Sequence, residues 1–542
     1  MIDDLEIDSP LVRCFRVEAA VPSLEDNTAD IDRLKLALKD VLQQQGVVEY
    51  HLHIPFQLLA KLASVFRSAG FSGYVLVNML PACGEIIDFL PHKPQALPAM
   101  ALDLGTTYLE ASVLDLLTGK KLAEGNIENR QIQFGSDILS RIHMTTSLKS
   151  SGPDEMNDGL QNLRESVTES INELAAQLAD KAGIRTTEIR ALSVSGNTTM
   201  VHLFLGLSPY HICREPYTPL INDPDPCHAY DLGLDIAAMA PVWVLPSIGS
   251  YFGGDLVSGI LACSLDTSED TCMLIDVGTN AEVVLGNRDW LIACAGAAGP
   301  ALEGGVARMG MRAGPGAIEH VAIDTDKWTL SYTTIENTPA AGVCGSGLID
   351  LIAQLYLARV IDFRGKFRKE IEPESKEHKA FLEKRLCSEN DEMFFVVALP
   401  VETVNGQPVI LSQIDLDALI RSKAAMYAIL TTLVSQVGVA FEEVGKIFVA
   451  GAFGKHIDPR QAITLGMLPD LPLSKYEPVG NSSLQGAELV VLSGSYRRRS
   501  KQISQKVTYV ELNVNQEFMM RFSGSRLIPH TDSSLFPTVP VF

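Results

Sequence analysis

One short pattern occurs twice in this chain, and it restricts the fold more than any other feature. Ala101-Leu102-Asp103-Leu104-Gly105-Thr106-Thr107 is followed by Leu109, Ala111, Val113 and Leu114, and Leu274-Ile275-Asp276-Val277-Gly278-Thr279-Asn280 by Glu282, Val283, Val284 and Leu285. In each copy an apolar strand ends at an Asp, a Gly lets the backbone turn sharply, and small hydroxyl or amide residues lead into a second strand. Two copies of one hairpin predict two related lobes.

The 542 residues exceed what a single core holds, so several domains are expected. Residues 1–22 carry no strong periodicity and read as a linker or arm. Ser23 reads as a helix cap, with Glu25 and Asp26 in the first turn and Ile31, Leu34, Leu36 and Leu38 on the apolar face. Strands near Val48–Ile54 and Tyr74–Asn78 and a helix from Pro55 to Ala69 complete a small α/β domain over 23–95, closed by Pro91-His92-Lys93-Pro94. Strands and helices then alternate over 98–542, predicting an α/β domain with lobe I at about 98–262, lobe II at about 270–475 and a C-terminal segment that returns to complete the lobes. The charged stretch from Lys366 to Lys384 reads as a solvated excursion, and Arg497-Arg498-Arg499 with Lys501 as an exposed helix face.

Charge and cysteine usage narrow the function. Asp plus Glu number 66 against 44 for Lys plus Arg, a net charge of −22 that repels nucleic acid and anionic lipid. The acidic amino terminus lacks the basic and apolar regions of a signal peptide, and no apolar run is long enough to span a bilayer, so a cytoplasmic location is expected. The nine cysteines are scattered, the closest pair being Cys263 and Cys272, and no Cys-x-x-Cys occurs. Zinc sites and iron–sulfur clusters need thiolates brought together on short loops, so no such centre is expected.

The hairpins suit phosphate. Backbone N–H groups and Thr hydroxyls bind anionic oxygens, whereas Asp103 and Asp276 would be repelled and must act through Mg²⁺ or water. A lone Asp-x-Gly-Thr is more often an ordinary hairpin, and three further elements change that balance. Gly253-Gly254-Asp255 would let a helix begin against a cleft with one carboxylate projecting, so Asp255 is a candidate general base, or else a helix cap. Lys446-Ile447-Phe448-Val449-Ala450 is a buried strand running into Gly451-Ala452-Phe453-Gly454, a turn open enough for a base or ribose. Ala297–Gly305, with Gly299 and Glu303, and Val343–Gly347, with Gly345 and Gly347, are small-residue segments before helices.

The order of these elements resembles the actin-like ATPase superfamily of sugar kinases, acetate kinase, chaperone ATPases and actin, whose two ribonuclease H-like lobes enclose one ATP. The resemblance implies a first phosphate site at Asp103, Gly105, Thr106 and Thr107, a second at Asp276, Gly278, Thr279 and Asn280, and an adenosine motif at Gly451, Ala452, Phe453 and Gly454. Asp255 matches the base of the sugar kinases and would here orient water.

Longer strings are similar to the reductive activators of corrinoid proteins: Ser23–Asn27, Asn129-Arg130-Gln131 with Phe134-Gly135-Ser136-Asp137, Ser195-Gly196-Asn197-Thr198-Thr199-Met200, and Gly310–Ala313 with Pro315–Glu319. This implies ATP-dependent reduction of a Co(II) corrinoid protein to Co(I), with a homodimer as the family's assembly. The family usually begins with a ferredoxin domain whose Cys-x₄-Cys-x₂-Cys spacing is missing here, so either electrons are expected from an external ferredoxin-like donor or the sequence is a truncated piece of a longer chain. After Cys294 the family often carries Ser where this chain has Ala295, which removes a hydroxyl that could approach a corrinoid. A small-molecule kinase and a nucleotide-gated chaperone without redox work are the alternatives.

Overall fold

In the computed structural model, residues 8–46, 51–80, 83–135, 137–145, 157–250, 252–278, 281–296, 307–311, 313–389, 392–512 and 515–542 are described. They fall into two compact units, one of Met1–Ala262 and Ser483–Gln505, the other of Cys263–Ser482 and Lys506–Phe542.

The first unit opens with a four-stranded sheet of β1 (Val12–Glu18), β2 (His51–His53), β3 (Ser72–Met79) and β4 (Cys83–Leu90), in the order β1-β3-β4-β2. Residues 12–18, expected within an arm, instead pair antiparallel with β3 from Val12↔Asn78 to Glu18↔Ser72. Phe15 and Val17 point inward, joining Leu34, Leu38, Phe66, Val75 and Phe89 in the core, so the strand earns its place by burying three apolar side chains, Val12 included. The covering helices are Asp30–Gln44 and Leu59–Ser68. Ser23 does not cap the first of them. Its hydroxyl accepts from the Glu25 and Asp26 backbone N–H groups, closing a local turn ahead of a helix whose N-cap is Ala29.

A six-stranded sheet follows: β5 (Pro98–Leu104), β6 (Tyr108–Asp115), β7 (Lys121–Glu128), β8 (Leu192–Gly196), β9 (Cys227–His228) and β10 (Pro241–Val244), ordered β7-β6-β5-β8-β10-β9. β5 is antiparallel to β6 and parallel to β8. The 25-residue helix Asp158–Ala182 packs on β6 and β7, burying Leu163, Val167, Ile171, Leu174 and Leu178 at helical spacing. The returning segment is tied in by the Ser193 hydroxyl, which donates to the Ala487 carbonyl at 2.7 Å. Two ion pairs join the small sheet to this one: Arg190 to Asp88 at 2.7 Å and His228 to Glu85 at 3.0 Å.

In the second unit β11 (Cys272–Val277), β12 (Ala281–Gly286) and β13 (Leu291–Gly296) form a hairpin and its extension. Two small sheets are inserted, β14 (Ala317–Asp324), β15 (Thr329–Thr334) and β16 (Gly342–Val343), then β17 (Leu386–Glu389), β18 (Glu392–Ala398) and β19 (Val409–Ser412). β20 (Lys446–Ala450), β21 (Tyr476–Gly480) and β22 (Val507–Tyr509) complete the main sheet, ordered β21-β20-β11-β12-β13-β22. The series β13-β12-β11-β20-β21 repeats β7-β6-β5-β8-β10 in order and sense, the first strand of each hairpin lying beside a parallel neighbour. The doubled sequence pattern is thus a doubled α/β lobe topology, as the two copies of the hairpin predict.

Two surface readings need correction. The stretch 366–384 is only partly solvated: helix Lys376–Arg385 buries His378, Phe381 and Arg385, whose guanidinium donates to the Val396 and Val397 carbonyls. Arg497 is also buried and donates to the Val490 and Ser9 carbonyls, because the helix Gly494–Lys506 turns that residue inward.

Candidate functional site

In the first unit β5 runs to Asp103 and Leu104, and the chain turns through Gly105, Thr106 and Thr107 before β6. Asp103, Gly105, Thr106 and Thr107 are all half-buried, so the turn meets solvent on one side. Three side chains from elsewhere hold it. Asn129 donates to the Gly105 carbonyl at 3.0 Å, Arg141 to the Thr106 carbonyl at 2.6 Å, and Asn197 to the Thr106 hydroxyl at 3.1 Å. A hydroxyl that accepts keeps its one proton for another acceptor, so Thr106 is arranged to donate to an anion. Ser483 donates to Asp103 Oδ1 at 2.7 Å.

Each brace has a local cause. Asn197 is the N-cap of helix Thr198–Leu205: its carbonyl oxygen accepts from the Met200 N–H, which turns its amide nitrogen toward Thr106. Asn129 likewise accepts from the Gln131 N–H while its amide nitrogen reaches Gly105. Arg141 lies on the short helix Ile138–Met144, which Asp137 caps through the Ser140 N–H. It is fully buried and also donates to the Gly135 carbonyl and to Gln131 Oε1, so its planar fork ties two backbone carbonyls and one side chain together.

Asp255 stands in the first turn of helix Gly254–Ala262. Gly253 is required by close approach: a Cβ there would collide with the Asn197 backbone and the Gly196 carbonyl. The Asp255 carboxylate accepts from the Leu256 N–H at 2.8 Å. Burial pushes its pKa up to about 6, against the opposing pull of the backbone N–H groups of Leu256, Asp255 and Gly253. A carboxylate tuned toward neutrality matches a general base better than a plain cap does.

In the second unit β11 carries Asp276 and ends at Val277, followed by Gly278. Thr279, Asn280, Gly299 and Glu303 lie outside the described residues. β20 runs parallel to β11 with Ala450 opposite Asp276, and Gly451 follows with φ +81°, where a Cβ would stand 2.9 Å from Asp276 Oδ1. Gly451 therefore lies directly against the second acidic turn. Helix Gly451–His456 starts there and takes in Ala452, Phe453 and Gly454. Burial, with the charges of Asp276 and Glu477 adding, holds the Cys263 thiol protonated beside this turn. Gly345 and Gly347 are placed differently. They open helix Gly345–Leu357, which packs on β14 and on helices Gly451–His456 and Pro459–Leu465, and are not part of the hairpin.

Asn129, Arg141, Asn197 and Ser483 are the residues that reading the chain did not assign. Asn129 and Asn197 lie in the unusual strings noted above. Arg141 and Ser483 carry no local signal, since their partners are 35 and 380 positions away.

The doubled α/β lobes, each with an acidic strand end running into a glycine, define an actin-like ATPase fold, and comparison with known proteins makes it specific. Residues 270–540 match the C-terminal domain of RACo, the ASKHA domain, 98–268 match the RACo middle region, and 4–94 the RACo linker region. The chain belongs to the RACo family. It is 30% identical over 518 residues, 95% of this chain and 83% of the relative, to the corrinoid activation enzyme RamQ of Eubacterium limosum. It is 22% identical to a [Co(II) methylated amine-specific corrinoid protein] reductase of Methanosarcina barkeri, covering 76% of this chain and 72% of that one. A solved structure titled reductive activator for corrinoid, iron-sulfur protein superposes with a TM-score of 0.87 at 37% identity, covering 99% of this chain and 82% of the other. No described helix is long and apolar enough to cross a membrane.

Proposed function

We propose that this protein hydrolyses ATP to drive the reduction of a Co(II) corrinoid protein to Co(I), with electrons from a separate ferredoxin-like donor. The observation that carries the reading is the braced turn at Asp103–Thr107: Asn129 and Arg141, both fully buried, hold its carbonyls, and Asn197 donates to the Thr106 hydroxyl, which leaves that hydroxyl's proton for an acceptor such as a phosphate oxygen. The names of the relatives support the corrinoid substrate.

In this reading the substrate is Mg-ATP. Gly105, Thr106 and Thr107, with Gly278, Thr279 and Asn280, bind the phosphates, and Asp103 and Asp276 hold the hard cation, which suits carboxylate oxygens. Gly451, Ala452, Phe453 and Gly454 receive the adenosine, with Gly299, Glu303, Gly345 and Gly347 at its edge. Asp255 takes a proton from the attacking water. Every 59 mV by which the donor falls short of the Co(II)/Co(I) couple costs about a factor of ten in the one-electron equilibrium. ATP offsets this if the nucleotide states differ in their affinity for the corrinoid protein.

The test is an absorbance assay of Co(I) with a Co(II) corrinoid protein, an external low-potential donor, and ATP present or withheld. An ATP-dependent gain in Co(I) is expected. No gain with the donor present overturns the reading; a phosphorylated small molecule would identify a kinase, and ATP-dependent partner binding that needs no reductant a chaperone.

A further inference from the structure

Asp103 does not stand alone behind the phosphate turn. Ser483 Oγ lies 2.7 Å from Asp103 Oδ1 and 2.8 Å from Ser195 Oγ, and Ser195 Oγ lies 2.8 Å from Ser258 Oγ. All three hydroxyls are buried, Ser195 and Ser258 completely. Each hydroxyl owns one proton, and an ionised carboxylate only accepts. Ser483 must therefore donate to Asp103, Ser195 to Ser483 and Ser258 to Ser195, so the row has one direction and its bonds reinforce one another.

Three separate elements supply this row. Ser195 is the register partner of Asp103 across the parallel β5–β8 pair, which puts both side chains on one face of the sheet. Ser258 sits three residues after Asp255 on the helix Gly254–Ala262, on the same helical face. Ser483 begins the segment that returns to this unit, and its helix lies so close to the Asp255 helix that a Cβ at Gly486 would collide with Ser258. Packing of this tightness leaves each oxygen one position, and an apolar replacement of any of them would strand a buried neighbour.

We infer that Ser483, Ser195 and Ser258 form a one-way hydroxyl relay that orients the Asp103 carboxylate and locks it to the helix carrying Asp255. They are positioning residues for ATP hydrolysis, an inference that rests on the function proposed above. The relay makes the orientation of the phosphate-side carboxylate depend on the seating of the helix that bears the base.

The test uses the full chain with Ser483→Ala, Ser195→Ala, the double variant and Ser483→Thr, which restores a hydroxyl. In Ser483→Ala, kcat for ATP hydrolysis is expected to fall about tenfold with the ATP KM within about twofold, the size of one lost hydrogen bond to a charged group. Calorimetric titration of Mg²⁺ in the presence of ADP should show half-saturation moved several-fold upward. Ser195→Ala should lose less, the double variant no more than Ser483→Ala alone, and Ser483→Thr should recover most of the loss. A merely structural role would lower the melting temperature without this pattern in kcat and Mg²⁺ dependence. An active wild type with unchanged kcat and Mg²⁺ dependence in Ser483→Ala overturns the relay alone, as do losses that multiply in the double variant. A wild type that hydrolyses no ATP overturns both the relay and the reading beneath it.

Discussion

Replacing Asp255 by Asn should slow the enzyme and stabilise it at the same time. Asn keeps an oxygen to accept from the Leu256 N–H and keeps the shape, but it cannot take a proton. Burial raises this carboxyl from its ordinary 3.8 to about 6. At 1.36 kcal/mol per tenfold, that displacement corresponds to up to about 3 kcal/mol. The sign follows from proton binding: between pH 3.8 and about 6 the native state holds a proton the unfolded chain has released, so stability falls as pH rises through that window. Above it the whole cost is present, and below it none is. At pH 8 Asp255→Asn should therefore be more stable than wild type by up to about 3 kcal/mol, and at pH 3.5 no more stable. With roughly 285 residues in the unit and about 2.1 cal/mol/K of unfolding entropy per residue, this is a rise of about 5 °C in its melting transition. ATP turnover should fall about 100-fold, the lower range for a lost general base, with nucleotide affinity kept. Calorimetric melts at pH 3.5 and pH 8 and steady-state phosphate release measure both. Unchanged turnover would reduce Asp255 to a structural member of its helix, and a melting temperature that drops equally at both pH values would refute the desolvation argument.

Three other perturbations follow from the same geometry. Asp103→Ala and Asp276→Ala should each abolish ATP-dependent Co(I) formation while circular dichroism stays that of the wild type; retained coupling in either would remove that carboxylate from the site. Arg141→Met leaves the Thr106 and Gly135 carbonyls and Gln131 Oε1 without their donor, and at about 1–3 kcal/mol per buried orphan it should cost several kcal/mol in thermal unfolding, with Arg141→Lys intermediate. In Gly451→Ala the left-handed backbone costs about 1–2 kcal/mol and the new methyl presses on Asp276, so Mg-ADP affinity by calorimetry should weaken about tenfold.

Family membership and the matched segments make the corrinoid chemistry specific, yet little of the supporting structure around the turns could be foreseen. The edge strand Val12–Glu18 has only Phe15 and Val17 in clean alternation, too short a signal to separate from an irregular arm. Arg497 looks like a surface charge because an isolated chain gives no account of which way a helix is rotated. Within a helix the burial of a charge is decided by what packs on it, here backbone carbonyls that take up the guanidinium.

The residues alone determined the doubled lobe, because an apolar strand, an acidic end and a glycine turn are local events, coded within seven consecutive positions at Asp103 and again at Asp276. They also pointed to the glycines of Gly253-Gly254-Asp255 as the place where a helix begins tight against its neighbour. Only the tertiary structure decided what holds the first turn in place. Asn129, Arg141, Asn197 and Ser483 reach it from loops and helices up to 380 positions away, and hydrogen bonds of that span depend on how the elements pack, which no local pattern encodes.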